Sequence, residues 1–362
     1  MVRSRRNVNR KAICAVSTQK KHNDNGQVII YSQNVHGIFE GTREGRTYTK
    51  LEFLICKMER EQIDVYLCSE TWDEGNYVKD IRGYTMFHHN NEEKKRRQGV
   101  AIILSPRITK AWKDAGGLPP IQGPKEGDLS GRMIAVTLKF PKLNTSRRII
   151  QGEWEQVVVM SVYHPWDEKD GKVDVFNELL DDTLNNLPAN HNLIMGGDIN
   201  AQVGKGDCEE YEDVMGNWGM KERNDKGRSV LEVYMTHNLC VMNTYFEHKE
   251  YWTYQSFNEE KTMHMIDLFV VSSALFNKIK GCQVVRDGIT SDHRAIKLTC
   301  ILTSLRTQQS KISENEIDKA ALQEEKNDEF NKKFREQWSE DTGYNESSSS
   351  SSSSSLLSTL PF

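Results

Sequence analysis

Acidic, amide and imidazole side chains stand at the ends of several short apolar runs in this chain. Asp198 and Asn200 come directly after NLIMGG, and Glu70 comes directly after VYLCS. Further polar residues lie within or beside the other apolar runs: Asn34, Tyr163, Asp267, Ser291, Asp292 and His293. Strand ends on a rigid sheet are where functional groups are commonly built. If these runs are strands that share one edge, the residues form a single pocket with four acids, two amides, a phenol and an imidazole.

Such a set of side chains suits the attack of water on a phosphodiester. Glu70 offers hard oxygen ligands to Mg²⁺, and Asn34 could orient Glu70 or add a carbonyl oxygen of its own. Mg²⁺ would stabilise the charge that develops on the phosphoryl and leaving oxygens. Asp198 would position and deprotonate the attacking water, with Asn200 holding it in place.

A second group of residues suits recognition of the phosphate. His293 could donate to a non-bridging oxygen as long as it stays protonated, and Tyr163 could hydrogen-bond the same phosphate. Asp267 would orient the imidazole and keep it charged, because a neighbouring carboxylate raises the pKa of a histidine. An unpaired acid inside MIDLFVV would be costly to bury, so Asp267 is expected to have a partner.

Each of these residues alone also fits a structural role. GGDINAQ, with Asp198 and Asn200 after paired glycines, is typical of a tight turn, and the glycines would let the chain bend at the strand end. Glu70 could be an exposed charge, and Ser291 and Asp292 could be turn residues. The ordered set nevertheless favours one active site. The site would be absent only if every one of these residues had its structural role and no other.

The apolar runs themselves predict the elements that position these residues. They are four to eight residues long and rich in Val and Ile, as buried strands are. The runs are VIIYS (28–32), VYLCS (65–69), GVAIIL (99–104), MIAVTLKF (133–140), VVVMSVY (157–163), NLIMGG (192–197), LCVMN (239–243), MIDLFVV (265–271) and AIKLTCIL (295–302). Helical spacing marks segments around Leu51 to Met58, Phe176 to Leu184 and Val230 to Tyr234. Many buried strands and few helices predict two packed sheets with helices outside.

Composition limits the classes of protein that remain. The chain has 362 residues with a net charge of −4, and 28% of them are charged. Seven cysteines with no C-x-x-C pair indicate small buried hydrophobes in a reducing compartment. A basic N-terminus without an apolar core is not a secretory signal, so we expect a nuclear or cytoplasmic protein. We predict a basic disordered leader over 1–25, one domain over 26–303, a charged helical linker over 304–346 and a Ser-rich disordered tail over 347–362.

Six short motifs in order resemble the motif series of the endonuclease/exonuclease/phosphatase superfamily. They are SQN (32–34), SETW (69–72), YHP (163–165), GGDIN (196–200), MID (265–267) and SDH (291–293). The resemblance implies an α/β (α+β) protein, a four-layered αββα sandwich of two packed mixed sheets flanked by helices. It also implies one site at the sheet edges for Mg²⁺, or Mn²⁺ as the alternative, with Asn34, Glu70 and Asp292 as metal ligands.

Residues 216–256 are similar to the endonuclease domains of non-LTR retrotransposons and their domesticated relatives. The likeness rests on Gly216, Gly219, Arg223, Asn224, Gly227 and Leu231, followed by Asn243, Thr244, Phe246 and Thr253. It implies that Thr253 and Ser291 contact the DNA phosphate or order the site. Three positions depart from the family pattern. Ser69 replaces the usual Gln before the metal-binding Glu, and Met265 replaces the Gln of the common Gln-Ile-Asp. Asn34 is followed by Val35 and His36, where relatives often have Arg after the Asn.

The resemblance implies a Mg²⁺-dependent endonuclease that nicks DNA and leaves a 3′-hydroxyl. Its partner would be DNA and not a membrane, and the basic run KKRR at 94–97 could touch backbone phosphates. We expect a monomer, either free-standing or part of a larger retroelement polyprotein. The alternatives are an abasic-site endonuclease, another phosphodiesterase or phosphatase of the superfamily, and a catalytically decayed remnant that still binds nucleic acid.

Overall fold

The computed structural model describes most of the central part of the chain. The described residues are 26–38, 50–91, 98–125, 127–144, 149–166, 171–188, 191–206, 209–220, 222–256 and 260–302. The predicted leader, linker and tail lie outside these ranges, as do the basic run at 94–97 and Cys14 and Cys208.

The first sheet has seven strands, and its centre is formed by the first two runs of the sequence. The strands are β1 (Gln27–Asn34), β2 (Val65–Ser69), β3 (Tyr77–Ile81), β4 (Tyr84–His89), β5 (Val100–Leu104), β14 (Ile279–Val285) and β15 (Ala295–Ile301). Their spatial order is β14-β15-β1-β2-β5-β4-β3. β1 and β2 run parallel, and the other neighbours are antiparallel, so the sheet is mixed.

The second sheet has six strands and is also mixed. The strands are β6 (Ile121–Gln122), β7 (Met133–Leu143), β8 (Ile149–Tyr163), β9 (Asn192–Asp198), β10 (Leu239–Val241) and β13 (Asp267–Ser272). Their order is β10-β13-β9-β8-β7-β6, with β8 and β9 parallel. A separate two-stranded ribbon joins β11 (Tyr254–Gln255) to β12 (Met263–His264).

Helices cover the outer faces of the two sheets, which gives the predicted αββα layering. α1 (Lys50–Glu61) packs Leu54 and Met58 on the outer face of the first sheet. α3 (Lys172–Asn185) and α4 (Asp225–Thr236) pack Phe176, Val230 and their neighbours on the second. A third apolar cluster lies between the sheets. The four-layered fold class is therefore confirmed.

The two glycines of GGD do not form the turn that the sequence suggested. Gly196 and Gly197 lie inside β9, and neither has a positive φ. A Cβ at Gly196 would stand 2.8 Å from the Phe269 ring, and one at Gly197 would stand 1.8 Å from the carbonyl oxygen of Val162. The glycines are needed because neighbouring strands and the facing sheet approach the backbone closely. The turn itself comes after the strand, at Asn200, where φ is +51°.

A short helix that the apolar pattern did not reveal, α2 (Pro106–Asp114), is joined to the first sheet by a buried ion pair. The guanidinium of Arg107 contacts both carboxylate oxygens of Asp64 and donates to the carbonyl of Gln27 at 2.6 Å. Asp64 is 2% exposed and also accepts from the amide of Ile29 at 2.9 Å.

Removal of Arg107 is expected to destabilise the fold strongly. Arg107→Ala leaves the buried Asp64 carboxylate without its cation, which typically costs about 3–5 kcal/mol. Urea unfolding should show a free energy of unfolding that is lower by that amount, and therefore a lower midpoint concentration. Lys110→Ala on the same helix is the matched control, because its ion pair with Asp114 is exposed and is expected to contribute less than about 1 kcal/mol. Equal effects of the two substitutions would contradict the assignment.

The described cysteines have the predicted character. Cys68, Cys240, Cys282 and Cys300 are buried, Cys56 is half-buried, and all five are free thiols. Within the described residues, no helix has the length and apolar character needed to span a bilayer.

Candidate active site

Strand ends from both sheets meet at one edge of the sandwich. Asn34 is the last residue of β1, and Glu70 comes directly after β2. In the second sheet, Tyr163 pairs with Asp198 across β8 and β9, and Asp198 pairs with Asp267 across β9 and β13. The parallel pairs β1–β2 and β8–β9 end at this edge, and the antiparallel β13 begins there. The sandwich thus brings the sequence-predicted residues into one place.

The amide of Asn34 connects the acids of the two sheets. Its Nδ2 donates to Oε1 of Glu70 at 2.9 Å and to Oδ2 of Asp198 at 3.0 Å. Its Oδ1 accepts from the backbone amide of His36 at 3.2 Å. The hydroxyl of Tyr163 donates to the same Oε1 of Glu70 at 2.7 Å. Of the two roles that the sequence left open for Asn34, the contacts favour orientation of Glu70.

Asp198 is buried at the centre of this network. Its Oδ1 accepts from the backbone amide of Asn200 at 3.0 Å. The side chain of Asn200 donates to the carbonyl of His164 at 2.9 Å and so holds the turn. Burial raises the pKa of Asp198 to about 7; the charge of His293 opposes the rise, and the Asp267 carboxylate adds to it. A carboxylate with a pKa near neutrality is suited to accept a proton.

Asp267 and His293 form a buried pair beside Asp198. Nδ1 of His293 lies 2.8 Å from Oδ2 of Asp267, and Nε2 lies 4.0 Å from Oδ2 of Asp198. Burial disfavours the imidazolium, but the Asp267 and Asp198 carboxylates outweigh it and raise the pKa of His293 to about 10. The imidazole is therefore charged at neutral pH, and its two nitrogens are both donors. The partner expected for Asp267 is His293.

Two groups of residues could hold a divalent cation. Oxygen and nitrogen atoms of Asp198, Asp267 and His293 all lie within 4.8 Å of one another. A protonated imidazole has no lone pair to offer, so this group suits proton transfer better than metal binding. Glu70 and Asp292, each with a side chain about 15% exposed, place carboxylate oxygens 3.9 Å and 3.2 Å from Nδ1 of His36. Their oxygen donors fit a hard divalent ion.

The acidity of Asp292 agrees with this assignment. Burial alone would raise the pKa of Asp292, but the hydrogen bond from His36 and the charge of His293 hold it well below its usual range. The carboxylate is thus ionised under all ordinary conditions, as a metal ligand has to be.

Thr253 and Ser291 use their hydroxyls inside the protein. Oγ1 of Thr253 accepts from the amides of Ile266 and Asp267, both at 3.1 Å. Oγ of Ser291 donates to the carbonyl of Asn34 at 2.7 Å and accepts from the amide of His293 at 3.1 Å. These contacts fit the ordering role that the resemblance implied, and not the phosphate contact.

Three aromatic residues at the site were missed by the sequence reasoning. Nδ1 of His36 lies 3.2 Å from Oδ1 of Asp292 and 3.9 Å from Oε2 of Glu70. Nε1 of Trp72 donates to Oε2 of Glu70 at 3.2 Å, and the ring of Tyr254 lies 4.8 Å from that of His293. The tryptophan of SETW was an available signal for Trp72. Nothing in the local pattern marks His36, which lies in the loop after β1, or Tyr254, which lies in the two-residue strand β11.

The loops of the site hold an unusual backbone conformation. Eight non-glycine residues of the described chain have positive φ, and four of them are His36, Glu70, Trp72 and Asn200. Each such residue costs about 1–2 kcal/mol. Half of this strain is located at one edge of the sandwich, as is common where side chains are held for function.

Part of the chain is similar in sequence, and most of it is similar in fold, to proteins of the endonuclease/exonuclease/phosphatase superfamily. Residues 157–297 match the endonuclease-reverse transcriptase family model.

Individual relatives are more distant. The chain is 27% identical over 200 residues to craniofacial development protein 2 of Bos taurus, and this match covers 55% of the chain and 29% of that relative. An AP endonuclease from Leishmania major has 17% identity and a TM-score of 0.55, covering 76% of this chain and 88% of its own. The APE2 catalytic domain of Xenopus laevis has 15% identity and a TM-score of 0.55. That match covers 78% of this chain and 94% of the APE2 domain. The chain thus spans under a third of the curated relative, and the likeness to the solved structures is one of fold.

Proposed function

We propose that the protein is a divalent-metal-dependent endonuclease that nicks DNA and leaves a 3′-hydroxyl. The observation that carries the proposal is the position of the buried Asp198, between the amide of Asn34 and the Asp267–His293 pair. The match to the endonuclease-reverse transcriptase model over 157–297 supports it, because that range contains three of these four residues: Asp198, Asp267 and His293, but not Asn34.

Asp198 acts on the attacking water. The water oxygen attacks phosphorus while its proton passes to the Asp198 carboxylate, whose pKa of about 7 suits this transfer. The bond between phosphorus and O3′ breaks, O3′ leaves with the electron pair and is protonated from solvent, and a 5′-phosphate remains. The amides of Asn34 and Asn200 hold Asp198 in place during this step.

His293 acts on the phosphate that is attacked. Its charged imidazole donates from Nε2 to a non-bridging oxygen, where negative charge builds up in the transition state. Asp267 keeps the ring charged and oriented through Nδ1. A Mg²⁺ or Mn²⁺ ion held by Glu70 and Asp292 would add positive charge at the phosphoryl oxygens. Tyr163 positions Glu70 through its hydroxyl.

A plasmid assay with a Glu70 variant tests the proposal. We expect the wild type to convert supercoiled to nicked plasmid with Mg²⁺ or Mn²⁺ and to stop when the metal is chelated. Glu70→Gln should lower the rate about 100-fold or more, because a ligand carboxylate contributes several kcal/mol of charge stabilisation. The matched control is Glu74→Gln, an exposed acid four residues away, which should keep the wild-type rate.

Other substrates in the same assay separate the alternatives. Faster cleavage of abasic duplex than of intact plasmid would indicate an abasic-site endonuclease. Phosphate release from inositol phosphates without nicking would indicate a phosphatase. DNA binding without metal-dependent cleavage of any substrate would contradict an active enzyme and indicate a decayed remnant.

A further inference from the structure

The segment 286–294, between β14 and β15, carries Asp292 and His293 but forms no helix or strand of its own. It is irregular apart from an isolated bridge between His293 and Tyr254. Ile289 and His293 are nevertheless buried, at 3% and 6% exposure. Buried backbone N–H and C=O groups need hydrogen-bond partners. Because the segment lacks a continuous ladder of backbone bonds, side chains from other elements have to provide them.

The side chain of Gln33, in β1, provides three of these partners. Its Nε2 donates to the carbonyls of Ile289 at 2.7 Å and His293 at 2.8 Å. Its Oε1 accepts from the amide of Ile289 at 3.0 Å and from the hydroxyl of Tyr66 at 2.6 Å. The orientation of the Gln33 amide is fixed, because carbonyl oxygens only accept and a backbone amide only donates. Gln33 is 1% exposed and uses both of its donors and both of its acceptor positions.

The segment 286–294 also lies directly against the end of β1. A Cβ at Gly288 would stand 2.7 Å from Oε1 of Gln33, so the backbone of the segment meets this amide without a side chain between them. Oγ of Ser291 donates to the carbonyl of Asn34, the next residue of β1, at 2.7 Å. The segment is thus attached to two consecutive residues of β1 at three alternate positions of its own.

We infer that Gln33 is a positioning residue of the reaction, because its amide fixes the backbone from which Asp292 and His293 act. This inference rests on the proposed function, which gives Asp292 and His293 their roles toward the metal and the phosphate. Groups that take part in a reaction have to be held within about 0.5 Å, and a misplacement of about 1 Å can cost about 10²-fold in rate. A purely structural Gln33 would change the fraction of folded protein and leave each folded molecule at the wild-type rate.

Two variants that break different bonds of the same amide test the inference in the full chain. Gln33→Met has no N–H to donate and releases both carbonyls of the segment 286–294. Tyr66→Phe removes only the bond from β2 and keeps the three bonds between Gln33 and the segment. We expect both variants to lower the melting temperature. Only Gln33→Met should slow single-turnover nicking at saturating plasmid, by about 100-fold per folded molecule, with little change in the plasmid concentration that gives half the maximal rate.

Calorimetry with Mn²⁺ provides a readout that does not depend on nicking. Gln33→Met should weaken Mn²⁺ binding by about 10-fold or more, the usual effect of losing a group that orients a metal ligand. Tyr66→Phe should keep the wild-type affinity, as should the matched control Gln283→Met at an exposed position of β14. If Gln33→Met does not fold, Gln33→Glu takes its place. Glu keeps an acceptor for Ile289 but donates at most one bond to the two carbonyls, so both readouts should still fall below those of Tyr66→Phe.

The outcomes separate this inference from the proposed function. If the wild type nicks plasmid and folded Gln33→Met nicks and binds Mn²⁺ equally well, Gln33 is only structural and the proposed function stands. Equal losses of nicking in Gln33→Met and Tyr66→Phe also overturn the inference, because the rate then follows stability and not the bonds to the segment 286–294. If the wild type neither binds Mn²⁺ nor nicks, the proposed function and the inference that rests on it are both wrong.

Discussion

Asp198→Asn is expected to slow DNA nicking by about 10²–10⁴-fold, the usual range for loss of a general base. The amide cannot take the proton of the attacking water, although it keeps the volume of the carboxylate at a fully buried position. Single-turnover nicking of supercoiled plasmid measures the effect. Asp182→Asn, an exposed acid on α3, is the matched control and should nick at the wild-type rate. A wild-type rate in Asp198→Asn, with an unchanged melting temperature, would exclude Asp198 as the base.

The pH dependence of nicking follows from the same assignment. Asp198 works only when ionised, so the rate should rise with pH through its pKa of about 7. His293 works only when protonated, so the rate should hold until the pH approaches its pKa of about 10 and then fall. Because the two groups interact, the apparent pKa values read from the two limbs of the profile describe the pair and not either residue alone. In Asp198→Asn the acidic limb should disappear from the residual activity.

Asp267→Asn is expected to have the second largest effect, a loss of about 10²–10³-fold in nicking rate. Burial alone lowers the pKa of His293, and Asp267 is the carboxylate that most strongly opposes this. Without it the imidazole should lose its proton at much lower pH. The alkaline limb of the rate profile should then move toward neutrality, and at neutral pH the phosphate would lose its charged donor.

Nuclear magnetic resonance of labelled histidine separates this role from a purely structural one. The His293 resonance should titrate at lower pH in Asp267→Asn than in the wild type. Asp181→Asn is the matched control, because Asp181 forms a half-exposed pair with His237 at 2.8 Å. That variant should leave both the titration of His293 and the nicking rate unchanged.

A double variant tests whether Asp267 and His293 act as one unit. If they do, Asp267→Asn combined with His293→Gln should be no slower than His293→Gln alone. Additive losses would mean that Asp267 contributes to catalysis by a route that does not pass through the imidazole. Such a result would favour Asp267 as a direct contact of water or phosphate.

The central strands and the residues at their ends were accessible from the sequence because both depend on local patterns. Runs such as VYLCS and NLIMGG are apolar on both faces, since each strand is covered by the facing sheet on one side and a helix on the other. β3 was missed because its middle residues are exposed and carry no apolar run. α2 was missed because only Ile108, Thr109 and Ala111 of its nine residues are buried.

What the sequence by itself determined was the αββα fold class and the identity of the acids, amides and histidine at the strand ends. Only the tertiary structure decided which groups face one another. It placed His36 against Glu70 and Asp292, committed the hydroxyls of Thr253 and Ser291 to backbone amides, and required Gly196 and Gly197 for close packing and not for a turn. The physical reason is that periodicity reports the burial of each residue, whereas contacts between loops and between sheets depend on strand register and on chain segments far apart in the sequence.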